Sequence, residues 1–291
     1  MIHPSRLTLL SVASVAVLLL FVIFGCTPKN IPTKALESPA AAWKVFRRHY
    51  CIPASRPGVL IKASLYYTRT KPRKRTNRTL VSMWGDFNGP MRLDISAGMG
   101  KLLAHIREDQ DGLLVFYPTE KKAYAHVDPV LGATRLGMPF PFSLSELANV
   151  VMGDFSGLAP RKYLEAARDK KGFTYTVESP QVTSVTLDEI GRPILLEGVI
   201  SKAYDSARTW QLEIDKYEEV VKKTAPLADR LVLSLDNGEK GVLRIKSREL
   251  KMASWPASAT GLELPENIEL HRLDNGHNPS ENNDIPVVYE D

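Results

Sequence analysis

Gly58-Val59-Leu60-Ile61-Lys62-Ala63-Ser64-Leu65-Tyr66-Tyr67-Thr68 is the stretch that decides the fold. Successive side chains of an extended chain point to opposite faces, so Val59, Ile61, Ala63, Leu65 and Tyr67 share one side and Lys62, Ser64, Tyr66 and Thr68 the other. This predicts a half-buried strand. The same alternation returns in Val81/Met83, in Met91/Leu93/Ile95 against Arg92/Asp94, in Leu102/Ala104/Ile106 against His105/Arg107, and in Leu113/Val115/Tyr117. Asn88-Gly89, Gly98 to Gly100 and Asp111-Gly112 punctuate the runs as hairpin turns do, which predicts an antiparallel meander. Another strand is expected over Lys122 to Val127.

Two helices are expected around this meander. Ser38-Pro39 offers an N-cap followed by proline at the first helical position, and Trp43, Phe46 and Tyr50 recur at i, i+3 and i+7 before Pro53. Ser143-Leu144-Ser145-Glu146 is a capping box, and Leu144, Leu147, Ala148 and Val151 form one apolar face before Gly153. Strand patterns resume at Phe173/Tyr175/Val177, Val185/Leu187, Ile194/Leu196, Trp210/Leu212/Ile214, Leu231/Leu233/Leu235, Leu243/Ile245 and Ile268/Leu270, with no internal repeat. The expected class is α+β: a large antiparallel sheet that covers its apolar face with helices. A sheet of about a dozen strands tends to curl into an open barrel, whose concave face can hold a ligand where the helices plug it incompletely.

The chain has 291 residues, 44% hydrophobic and 24% charged, which excludes a wholly disordered or collagen-like protein. Lys and Arg exceed Asp and Glu by 38 to 33, a mild excess that argues only weakly for nucleic acid or an anionic membrane. Apolar residues are concentrated at the start. Arg6 precedes the uncharged run Leu7 to Gly25, and Ile23-Phe24-Gly25-Cys26 resembles the bacterial lipobox, in which the cysteine is acylated and becomes the mature N-terminus. An uncleaved signal anchor is the alternative, because a run of this length can just span a hydrocarbon core of about 30 Å. The expected organisation is a lipoprotein signal peptide over 1–25, a tether over 26–38, one domain over 39–274 and a disordered acidic tail over 275–291. Similarity to Gram-negative lipoproteins implies an outer-membrane anchor facing the periplasm, because no Asp follows Cys26. With Cys26 acylated, Cys51 has no disulfide partner; it is read as a buried small apolar residue or as a reactive thiol.

Beyond the lipobox, the chain resembles the LolA/LolB family of lipoprotein-localisation proteins. The resemblance is carried by Trp43, by Trp84 followed by Gly89-Pro90-Met91-Arg92-Leu93, by Ala97-Gly98-Met99-Gly100, and by Gly137-Met138-Pro139-Phe140-Pro141-Phe142 before the capped helix. It covers roughly Ala41 to Gly153, with only strand count and Leu264-Pro265 agreeing beyond. Two departures stand out: a longer chain, and the basic run Arg69 to Arg78. The resemblance implies an incomplete barrel closed by helices, with an apolar cavity that takes up acyl chains of lipoproteins and passes them into the outer membrane. A lipid-binding envelope sensor or scaffold without transfer is the alternative.

The implied partners are acylated lipoproteins, a LolA-like periplasmic carrier and membrane lipid through the anchor, with a monomeric chain and no nucleic acid. Inward candidates for the cavity are Val59, Ile61, Leu65, Val81, Met83, Leu93, Ile95, Leu102, Ile106 and Val115; each could equally be plain core. In LolB the hairpin matching Gly98, Met99 and Gly100 carries an exposed apolar residue important for release, so Met99 either enters the bilayer interface or folds back on the core. The basic loop of Arg69, Lys71, Arg73, Lys74, Arg75 and Arg78 could meet lipid phosphates or an acidic carrier, or be a solvated tip. No enzyme is expected: the chain has no G-x-S-x-G elbow and no H-E-x-x-H, Gly98 to Lys101 lacks P-loop spacing, and His49, His105, His126 and His271 stand apart in sequence. No cofactor or metal is expected.

Overall fold

The computed structural model describes residues 34–138, 140–200, 208–218 and 225–275. Cys26, the signal peptide, the tether up to residue 33 and the tail beyond residue 275 lie outside them. The described residues form one compact unit.

Helix α1, Pro39–Tyr50, begins where the sequence places it: Ser38 accepts from the Ala41 N–H at 3.3 Å, and Pro39 stands where no intrahelical donor is needed. Arg47, Arg48 and His49 occupy its last turn, where positive charge meets the carboxyl end of the helix dipole. The Phe155 N–H satisfies the terminal Tyr50 carbonyl at 2.7 Å.

Strands β1 (Gly58–Arg69), β2 (Arg75–Asp86), β3 (Met91–Ser96), β4 (Leu102–Asp109), β5 (Gly112–Tyr117) and β6 (Lys122–His126) form the expected meander. Helices α2 (Pro129–Arg135) and α3 (Leu144–Val151) follow. Then come β7 (Glu165–Asp169), β8 (Gly172–Thr176), β9 (Val182–Leu187), β10 (Pro193–Ile200), β11 (Arg208–Tyr217), β12 (Ala228–Leu235) and β13 (Lys240–Lys251). A four-residue helix α4 (Ala257–Thr260) precedes β14 (Glu269–Arg272).

The fourteen strands of the described residues belong to one sheet, ordered β14-β6-β5-β4-β3-β2-β1-β13-β12-β11-β10-β9-β8-β7. β1 sits at its centre, paired on one side with β2 and on the other with β13, Leu65 facing both Thr79 and Leu243. The sheet is open, with β14 and β7 as its edges. It is also curled. Phe142 packs edge-on against Trp210 of β11, ring centroids 4.9 Å apart, while the Leu144 N–H donates to Glu108 of β4 at 2.7 Å. These two strands are six positions apart in the sheet, about 29 Å if it were flat. Two residues of chain span only about 7 Å, so the sheet wraps around the Phe142–Val151 segment.

The structure corrects the sequence reading in three places. The described residues hold four α-helices, not two; α2 begins with Asp128, whose carboxylate accepts from the Leu131 N–H at 2.9 Å, and Pro129. β7 was not expected, because Glu165–Asp169 is exposed throughout and so carries no apolar alternation. β14 runs parallel to β6, not antiparallel. The reason is the path that precedes it. After β13 the chain crosses the outer face as a strap: Trp255 Nε1 donates to the Val59 carbonyl, Trp84 Nε1 to the Ala259 carbonyl and Arg92 to the Gly261 carbonyl. It therefore reaches β6 from the far end of the sheet.

Candidate functional site

One face of β1–β6 and β8–β13 contributes to a continuous apolar cluster with α1 and α3. Within it, Trp43 contacts Phe46, Tyr163 and Tyr175, with centroids 5.2, 5.4 and 4.7 Å away, and the Tyr175 hydroxyl donates to the Pro39 carbonyl at 2.6 Å. This aromatic block fixes α1 across the concave side.

The packing is incomplete on the other side of α3. A void of about 20 Å³ is lined by Leu65, Phe140, Phe142, Leu147, Leu212, Leu231, Leu233, Gly241 and Leu243. No ionisable or hydrogen-bonding side chain is among them. Its walls are the central strands β1 and β13, their neighbours β12 and β11, and the Phe140–Leu147 segment that the curled sheet surrounds. A larger hollow of about 500 Å³ lies among Thr183, Glu197, Thr209, Gln211, Ser234 and Asp236, on residues that alternate with the core-facing ones. Its two carboxylates make it a poor host for an apolar chain.

Of the candidate cavity residues, only Leu65 lines the void. Val59, Ile61, Val81, Met83, Leu93, Ile106 and Val115 are buried in the surrounding cluster, and Ile95 and Leu102 are half-buried. The candidates all lie on β1–β5, whereas most of the wall is C-terminal, where Leu231/Leu233 and Leu243 carry the same alternation. The Phe140/Phe142 pair stands out in the sequence through the resemblance alone; nothing in its spacing says that it lies against β11–β13.

The α3 plug is pinned at its N-terminus. Ser143 and Glu146 exchange the capping-box bonds, and Glu108 accepts from the N–H groups of Leu144 at 2.7 Å and Ser145 at 3.2 Å. Burial pushes the Glu108 carboxyl above the ordinary 4.5, although those two N–H groups pull it down. The raised value means that the fold binds a proton more readily than the unfolded chain. Stability from this group is therefore complete below 4.5 and is lost as pH rises through the folded value. Glu108→Gln, which keeps one acceptor and cannot ionise, is expected to remove that pH-dependent loss. Urea unfolding of both proteins from acid to neutral pH checks it; parallel curves would show that Glu108 is not the responsible group.

The hairpin at Gly98–Gly100 is a short 3-10 turn closed by the Ala97 N–H on the Lys101 carbonyl at 2.8 Å. Gly98 and Gly100 are exposed, and a Cβ built on either would meet no other atom within 4 Å. The turn therefore projects from the body. In the basic loop, Lys71, Arg73, Lys74, Arg75 and Arg78 are exposed and Arg69 half-exposed, and Arg78 and Arg244 flank the Tyr66 ring at 5.8 and 5.0 Å. Cys51 is buried, and burial pushes its thiol up to about 12, which suits the packing role and not a reactive one. His105 is not isolated in space: its Nδ1 lies 2.8 Å from Asp94, which also pairs with Arg92 at 3.2 Å, beside the carbonyl of Gly261 on the strap.

No protein-family model and no curated protein matches the chain. Among solved structures, a LolA superfamily protein from Nitrosomonas europaea aligns with 78% of this chain and 99% of its own at 14% identity and a TM-score of 0.47. A DUF1329 family protein from Desulfovibrio piger aligns with 78% of this chain and 100% of its own, at 11% identity and a TM-score of 0.49. A putative outer membrane lipoprotein-sorting protein domain from Vibrio parahaemolyticus covers 77% and 92%, at 13% identity and 0.42. Likenesses this modest carry no conclusion about ligand or activity.

Proposed function

We propose that this chain is a lipid-anchored envelope protein that takes up acyl chains of lipoproteins at its concave face and helps place them in the outer membrane. The observation that supports this is the wholly apolar lining of the void beneath Phe140, Phe142 and Leu147. As it stands the void admits about one water-sized group. An acyl chain enters only if the Phe140–Leu147 segment moves away from β11–β13. Each methylene then buried contributes about 0.8 kcal/mol, with no catalytic group required. The test is titration of a fluorescent fatty acid into the protein, with saturable uptake expected. A folded protein that takes up none would leave the second reading, a sensor or scaffold lipoprotein with a solid core, which the small size of the void favours.

Delivery into a membrane would use the projecting Gly98–Gly100 turn. Met99→Glu is expected to leave uptake nearly intact while slowing delivery of bound chains to liposomes severalfold, because a carboxylate is costly to place in hydrocarbon. Met99→Leu keeps the apolar volume and should be nearly silent. A transfer assay between protein and liposomes reads both; unchanged delivery by a folded Glu variant removes this turn from the mechanism.

A further inference from the structure

We infer that the end of the sheet nearest the void docks on an anionic lipid surface through the β1–β2 hairpin tip. This deepens the acyl-chain reading of the void and rests on it. From Arg69 to Arg78 the sequence holds six basic residues, no acidic one and no apolar one except Pro72. β1 ends at Arg69 and β2 begins at Arg75, so Lys71, Arg73 and Lys74 form the exposed tip. Strand register shows what shares that end. Leu80 faces Ser96, which brings the Gly98–Gly100 turn and Lys101 to the same side. Thr68 faces Lys240, and the Thr70 hydroxyl donates to the Asn237 carbonyl at 3.2 Å, joining the tip to the β12–β13 turn. Leu65, Gly241 and Leu243 of the void lie a few residues along the same strands. Tip, glycine turn and void therefore occupy one end of the sheet.

The charge there is available. Lys71, Arg73 and Lys74 make no ion pair among the described residues. The carboxylates at this end sit on other turns, and Asp236 already accepts from Arg208 and from the Thr209 N–H. A protein partner is held mainly by buried aromatic and aliphatic anchors. This tip offers none. Attraction to an anionic bilayer needs only charge brought within a Debye length of the phosphates.

The test places an environment-sensitive fluorescent amino acid at position 72 of the full chain, reconstituted in phosphatidylcholine vesicles with or without phosphatidylglycerol, and reads its quenching by headgroup-labelled lipid. Quenching is expected only with phosphatidylglycerol, and is expected to fade in high salt. Each tip charge removed should lower the docked-to-undocked ratio about fivefold, so Lys71→Gln/Arg73→Gln/Lys74→Gln should lower it about a hundredfold. Lys170→Gln/Lys171→Gln, at a turn on the opposite end, should change nothing. Equal quenching on neutral vesicles overturns the inference. So does absence of quenching on anionic ones, and binding of the tip to an acidic protein would then replace it. Fatty-acid uptake measured on the same samples separates the two readings: uptake kept while docking is absent sinks only this one, whereas docking without uptake sinks the cavity.

Discussion

Gly241→Val is expected to weaken fatty-acid uptake about thirtyfold or more while leaving the protein folded. Gly241 lies in β13 between Tyr67 of β1 and Leu233 of β12, with its backbone outside the left-handed region. A side chain there is not strained. A Cβ at this position first meets Leu65 Cδ1, at the ordinary contact distance of 3.8 Å, and its further methyls point into the void that Gly241 helps to line. Overpacking costs about 1–3 kcal/mol, offset in part because valine suits a strand and glycine weakens one. Denying an acyl chain two or three methylenes of burial costs about 2 kcal/mol, roughly thirtyfold in affinity. Probe titration and a thermal melt on the same sample decide the matter. Wild-type uptake by the folded valine variant would mean that chains do not enter here.

The second large effect is on stability. Phe46 is fully buried, 5.2 Å from Trp43 and 6.2 Å from Phe155 between ring centroids, in the C-terminal half of the helix that covers the concave face. Truncating a buried Phe to Ala costs about 3–5 kcal/mol. Against a usual domain stability of about 5–15 kcal/mol, Phe46→Ala should bring unfolding close to ambient conditions. Arg48→Ala, on the exposed side of the same helix, should shift stability by less than about 0.5 kcal/mol. Urea titrations of the pair measure both. A Phe46→Ala protein within a kcal/mol of wild type would show that α1 is a surface attachment and not part of the core.

The sheet was legible because each hairpin writes its own signal. Alternation is a two-residue rule, and the glycine turns lie next to the strands they join, so β1–β6 could be read from adjacent residues. The capping box of α3 is equally local, and both of its bonds are present. What was not legible depends on distance along the chain. That β1 pairs with β13 follows from neither strand alone, and the void exists only because that seam sets Leu65 beside Gly241 and Leu243. β7 escaped notice because an edge strand with both faces in water has no reason to alternate. The α2 start was legible and passed over: Asp128-Pro129 is the same N-cap and proline signal that identified α1. The Asp94–His105–Arg92 cluster spans two paired strands, so only the register brings it together.

The seam between β1 and β13 also sets the order in which the molecule can be completed. β1 and β2 meet across a five-residue turn and can pair as soon as they emerge, but the other edge of β1 waits for Lys240–Lys251. Until then the centre of the finished sheet is the border of a half-made one, and its unpaired N–H and C=O groups are open to any neighbouring strand. Closing so distant a contact is entropically costly, which places this fold among slow-assembling topologies. The first strand to form is thus among the last to be protected, and a chaperone that shields the β1 edge until β13 arrives would act where the native chain is most exposed to misassembly.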